Sequence, residues 1–65
     1  MNKNEQMLEY IVKCIRATGN DPHDQIDGYI RSGNERYITR NGNARALIKS
    51  IDRSQLERYV SDRSA

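Results

Sequence analysis

Residues 21–51, "DPHDQIDGYIRSGNERYITRNGNARALIKSI", carry the punctuation that decides the fold. Asp21-Pro22 opens a helix. The carboxylate can accept from first-turn amides, and proline at the first helical position gives up an N–H that has no partner there. Asp24 adds negative charge where the helix dipole favours it. Ile26, Tyr29 and Ile30 make an i, i+3, i+4 apolar face, and Ser32-Gly33 ends the helix after barely three turns. Gly28 sits in mid-helix, where it costs about 1 kcal/mol relative to alanine. Its first reading is a close helix–helix approach, and its alternative is a hinge or ligand contact. "NERYITRNGN" comes next as a loop whose Tyr37 and Ile38 fold back onto the core, with Asn43 capping the next helix. An Asn-Gly pair signals a hairpin only between strands, and the segment after it, "ARALIKSI", is helical in composition.

On the N-terminal side, Met7, Leu8, Ile11, Val12 and Ile15 repeat at helical spacing over an arc of roughly 140°, with Cys14 just outside its edge. This predicts an amphipathic helix near 4–18, ended by Gly19 in a left-handed conformation. On the C-terminal side, Ala44, Leu47, Ile48 and Ile51 form a buried stripe. Asp52 with Gln55 resembles a capping box and marks a break before a last helix bearing Leu56, Tyr59 and Val60. The expected architecture is all-α: a compact bundle of four to five short helices in one small domain spanning 1–65, with 1–3 and 62–65 frayed.

The chain of 65 residues has 11 Lys and Arg against 9 Asp and Glu, for a net charge of +2. Residues 1–30 hold three basic and five acidic groups, whereas residues 31–65 hold eight and four. That asymmetry either steers an acidic partner or lets the two halves attract each other. A domain this small buries only about 60% of its unfolded surface, so self-association is the natural supplement to a thin core. Cys14 is the only cysteine, which excludes a disulfide within the chain. A lone thiol, with no signal-like or membrane-length apolar run, points to the reducing cytoplasm and no membrane insertion.

Catalytic and metal-binding patterns are not evident. His23 lies near Asp21, Asp24 and Asp27, but helical spacing scatters these groups, and the calcium-loop pattern is missing. No serine or cysteine has a histidine placed to activate it, and Gly19, Gly28, Gly33 and Gly42 are too isolated to cradle a phosphate. The expectation is a protein that is not an enzyme and takes no cofactor. Arg45, Lys49 and Arg53 recur every four residues. If the helix runs on past Asp52 they form one basic stripe, read as a solvated face, as a surface for an acidic protein, or as a small helical nucleic-acid-binding module.

One resemblance rests on ordered features rather than a single motif: Pro22, Gln25-Ile26, Gly28-Tyr29-Ile30, Ser32-Gly33, Tyr37-Ile38, Asn43-Ala44-Arg45 and Leu47-Ile48. In that spacing the chain resembles the IreB-type family of small regulatory proteins from Gram-positive bacteria. The resemblance implies an all-helical cytosolic homodimer without catalytic activity, acting through another protein. It also implies a link to a membrane Ser/Thr kinase, envelope stress and resistance to cell-wall antibiotics. Gln25, Gly28, Tyr29, Tyr37 and Arg45 are the residues it marks for shape and contact. The chain departs from the pattern at Asp27 and Arg31, positions usually more apolar. It also has no Ser or Thr in "MNKNEQ", where the family's phosphorylated threonines would lie. Either the chain is then not a kinase substrate, or Thr39, in a loop between Arg36 and Arg40, is its most consequential site, because arginines pair well with phosphate.

Overall fold

A computed structural model describes the backbone of residues 3–64 and the side chains of residues 3–62. Of the ends expected to fray, residues 1, 2 and 65 lie outside the described residues, whereas residues 3 and 62–64 are helical rather than frayed. Among the described residues the chain is all-helical, with four α-helices: α1 (Lys3–Ala17), α2 (Pro22–Ser32), α3 (Ala44–Ile48) and α4 (Arg53–Ser64). Two 3₁₀ turns, Glu35–Tyr37 and Asn41–Asn43, carry the chain from α2 to α3.

The end of α1 and both ends of α2 obey the local signals. At the start of α2 the Asp21 carboxylate accepts from the His23 amide at 2.9 Å, and Pro22 fills the first helical position. Gly33 closes α2 with φ 71°, donating its N–H to the Tyr29 carbonyl. Gly19 (φ 81°) ends α1 in the same left-handed region, which glycine enters without a Cβ penalty. There the Asn20 amide reaches back to Ile15 and the Gly19 amide to Arg16, satisfying carbonyls that the helix leaves orphaned.

Two expectations need correction. Asn43 does occupy the position before α3, but it is left-handed (φ 66°) and its side chain makes no capping bond. The chain turns there by backbone geometry shared with Gly42 (φ 63°), so the asparagine serves as a residue that tolerates positive φ. At Asp52 the chain does break, but the carboxylate forms no capping box with Gln55. It accepts instead from Asn4 Nδ2 at 3.1 Å, tying the start of α4 to the start of α1.

α1 packs against α3 and α2 against α4. Ile11, Ile15, Ile26, Ile38, Ile48 and Leu56 fill the centre, and among the described residues no polar side chain is buried. Cys14, placed at the edge of the α1 stripe by periodicity, is buried because the Asn41–Asn43 turn lies over it. The surface of the chain is 4354 Å², against about 4200 Å² for a typical folded monomer of this mass. One copy therefore reaches ordinary compactness without a partner. No helix among the described residues is long and apolar enough to cross a membrane.

Candidate interaction surface

The segment from Asn34 to Thr39 lies against α2 and is tied from several sides. Its own start is capped locally: Asn34 Oδ1 accepts from the Arg36 amide at 2.9 Å. From α2, Gln25 Oε1 accepts from the Thr39 amide at 2.8 Å. From the start of α3, Arg45 donates through Nε to the Ile38 carbonyl at 2.7 Å and through Nη2 to the Arg36 carbonyl at 3.4 Å. Between these bonds Ile38 enters the core, only 1% exposed. Lys49, beyond the end of α3, pairs with Glu35 across the segment.

Gly28 belongs to the same arrangement, and its close approach is not to another helix. The Tyr37 ring lies on its Cα. A Cβ at position 28 would meet Cδ1 at 2.6 Å, Cγ at 3.1 Å and Cε1 at 3.2 Å. Of the pair expected to fold back onto the core, only Ile38 does so; the Tyr37 ring packs on Gly28 on one side and is left 53% exposed. Four of the five residues marked by the sequence thus converge: Gln25, Gly28 and Arg45 receive the segment, and Tyr37 is its outward ring. Tyr29 stands apart. It is half-buried against the core and accepts the Gly33 cap.

A second tie holds the Asn41–Asn43 turn to α1. Asn41 Nδ2 donates to the Cys14 carbonyl at 3.0 Å, and the Tyr10 hydroxyl donates to the Gly42 carbonyl at 2.9 Å. A Cβ on Gly42 would collide with Cys14 Sγ and stand 2.8 Å from the Tyr10 hydroxyl oxygen, so this crossing is also closed to larger residues. These ties join residues 27 and 32 positions apart, with no local pattern to announce them.

The electrostatics reflect the same contacts. The Lys49 ammonium, hydrogen-bonded to Glu35, holds that carboxyl below the usual carboxylate range. The Cys14 thiol beside the Tyr10 hydroxyl pushes the phenol upward. His23 stacks on the Tyr59 ring with centroids 4.3 Å apart and planes 13° from parallel. No group of acidic, histidine and cysteine side chains suited to a metal occurs among the described residues.

The basic stripe needed a helix continuous through Asp52, and that continuity is missing. α3 stops at Ile48, and residues 49–52 turn before α4. Arg45 faces the loop carbonyls and Lys49 faces Glu35. Arg53 pairs with Glu57 at 3.1 Å and donates to the Ile30 carbonyl at 3.2 Å. Asp27 and Arg31, the departures within α2, pair with each other at 3.0 Å one helical turn apart.

A sequence model of one family, described as the IreB regulatory phosphoprotein, matches residues 1–62. The chain is 39% identical over 49 residues to a UPF0297 protein of Clostridioides difficile, covering 75% of this chain and 58% of that one. It is 36% identical over 56 residues to a UPF0297 protein of Acetivibrio thermocellus, covering 86% and 62% respectively. A third similar protein, from Lachnoclostridium phytofermentans, is 35% identical over 52 residues, covering 80% of this chain and 59% of its own. The chain spans about three-fifths of the length of these curated relatives. No solved structure matches it significantly.

Proposed function

We propose, from the premise that the chain belongs to the IreB family of regulatory phosphoproteins, that it regulates by binding another protein in Ser/Thr-kinase signalling. The response it serves, on this reading, is to envelope stress and cell-wall antibiotics, and the place is the cytoplasm. Residues 1–65 act as one domain. The observation that carries the proposal is the family match over residues 1–62.

The arrangement around Asn34–Thr39 supports a binding role. Gln25, Gly28 and Arg45 are spent on positioning a loop rather than on a reacting group, and the result is an outward tyrosine on a tethered segment. Such rings are common anchors at protein interfaces, because they add contact area at low entropic cost. A second copy is a further partner in this proposal. Since one chain already has the surface of a folded monomer, the dimer forms between folded chains through exposed side chains such as Tyr37.

A deletion strain tests the pathway. Loss of the protein should change survival under a cell-wall antibiotic, and a strain also lacking the membrane Ser/Thr kinase should show no additional change. Unaltered survival of the single deletion would overturn the assignment. Light scattering at tens of micromolar tests the dimer, which should have twice the 7.5 kDa chain mass.

A further inference from the structure

A phosphoprotein needs an acceptor hydroxyl, and the described serines and threonines differ in their surroundings. Thr18 donates to the Ile15 carbonyl at 2.7 Å past the end of α1, and Ser32 donates to the Gly28 carbonyl at 2.7 Å at the end of α2. A phosphate at either place would sit at the negative end of a helix dipole, which opposes it. Ser50, Ser54 and Ser61 are exposed.

Thr39 is different. It is half-buried at the end of the tethered segment, and its Oγ1 accepts from the Asn41 amide at 3.3 Å. Its own amide is held by Gln25. Arg36 and Arg40 flank it, both exposed. Arg31, Lys49 and Arg53 are paired with carboxylates, but neither flanking arginine has such a pair among the described residues. Arg45 contributes a third guanidinium, whose bonds to Ile38 and Arg36 use two of five donors.

We propose that Thr39 is a phosphorylation site of this chain and that Arg36, Arg40 and Arg45 hold its phosphate. This rests on the reading of the protein as a kinase-linked regulator. The threonine Oγ1 attacks the γ-phosphorus of a nucleoside triphosphate bound to a Ser/Thr kinase. The bond from that phosphorus to the β-phosphate oxygen breaks, the nucleoside diphosphate leaves, and the hydroxyl proton passes to the kinase's base.

The product carries about −1.5 to −2 charge and three strong acceptor oxygens. A phosphate offers the guanidinium a full negative charge and a bidentate fork of acceptors, which two separate neutral carbonyls do not, so Arg45 turns from the Ile38 and Arg36 carbonyls to the phosphate. The phosphate also competes with Gln25 for the Thr39 amide. The Gln25 and Arg45 ties to the Tyr37 segment are therefore weakened by one modification, while the Asn34 cap and the Lys49–Glu35 pair stay, and the ring lifts more readily from Gly28 to engage a partner.

The test has two arms. The full chain is incubated with ATP and membranes of its source cells, beside the Thr39→Val chain, and phosphate is mapped by mass spectrometry. Phosphate on Thr39 that disappears from the variant is expected. Stoichiometric phosphate elsewhere, and none on Thr39, overturns the site but leaves the kinase-linked function standing; no phosphate on either chain counts against both. In the second arm, the 65-residue chain is synthesised with phosphothreonine at position 39 and titrated by phosphorus NMR. The arginines should lower the phosphate's second pKa from about 6 to about 5 in the folded chain. Arg40→Gln should return part of that fall, and urea should return all of it. A phosphate whose titration ignores folding would overturn the arginine cradle.

Discussion

Replacing Gly28 by alanine sets two effects of opposite sign against each other. Alanine is the better helix former by about 1 kcal/mol, so at an open position the change should stabilise. Position 28 is not open: the new Cβ would stand 2.6 Å from Tyr37 Cδ1 and 3.1 Å from Cγ. The contact at Cγ, close to the side chain's root, means that rotating the ring tip does not relieve it. Tyr37 must lift as a whole. An aromatic side chain buries about 150–250 Å² when fully enclosed, so a half-buried ring covers about 100 Å². At about 25 cal/mol per Å², giving up that contact costs about 2.5 kcal/mol at most. Setting this against the propensity gain leaves a net destabilisation of about 1–1.5 kcal/mol. A chain of this size should then melt roughly 4–10 °C lower, measured by circular dichroism. The decisive comparison is with Tyr37→Ala. Once the ring is gone, Gly28→Ala should raise the melting temperature, because only propensity remains. If Gly28→Ala stabilises equally with and without Tyr37, the ring does not bear on the glycine and the reasoning fails.

Other expectations concern the same tethered segment. Ile38→Ala should cost about 2–5 kcal/mol by leaving a cavity between the helices, measured by urea unfolding in the cold. Arg45→Lys keeps the charge but loses the planar fork that reaches two carbonyls, and should cost about 1.5–3 kcal/mol in the same assay. Glu35 has its folded pKa lowered by Lys49, so the stability it adds is present above its unfolded value of about 4.3 and is lost as pH falls through the lower folded one. Lys49→Gln should accordingly flatten the acid limb of a melting profile, and an unchanged limb would exclude this pair as a contributor.

The parts of the fold legible in the sequence were those announced by neighbouring residues. Asp21-Pro22, Gly19, Ser32-Gly33 and the apolar spacing of α1 each act within one or two turns, and the helices begin and end where they point. Gly28 was legible as a close approach, but its partner was not, because nothing in "DGYIR" names a ring nine residues later. The spacing of Arg45, Lys49 and Arg53 misled for a related reason. Periodicity is informative only along an unbroken helix, and the turn at 49–52 is held partly by Asn4, 48 residues from Asp52. Gln25 and Arg45 could be singled out, but their targets are backbone groups of Thr39, Ile38 and Arg36. Any residue type but proline supplies a backbone N–H, and every residue a carbonyl, so such targets leave no trace in side-chain pattern.

The spans of these hydrogen bonds also order the folding reaction. Arg45 reaches Ile38 across 7 residues and Gln25 reaches Thr39 across 14, whereas Asn41 reaches Cys14 across 27 and Asn4 reaches Asp52 across 48. Closing the longest of these loops costs about 1 kcal/mol more in chain entropy than closing the shorter Gln25–Thr39 one, before any contact compensates. We therefore expect residues 25–45 to be organised in the folding transition state, with the Asn4–Asp52 latch closing after it. Gln25→Ala should then slow refolding in stopped-flow, whereas Asn4→Ala should mainly speed unfolding. A chain that loosens from its N-terminal helix would keep its tethered loop through the first opening, so the surface offered to a partner outlasts the complete fold.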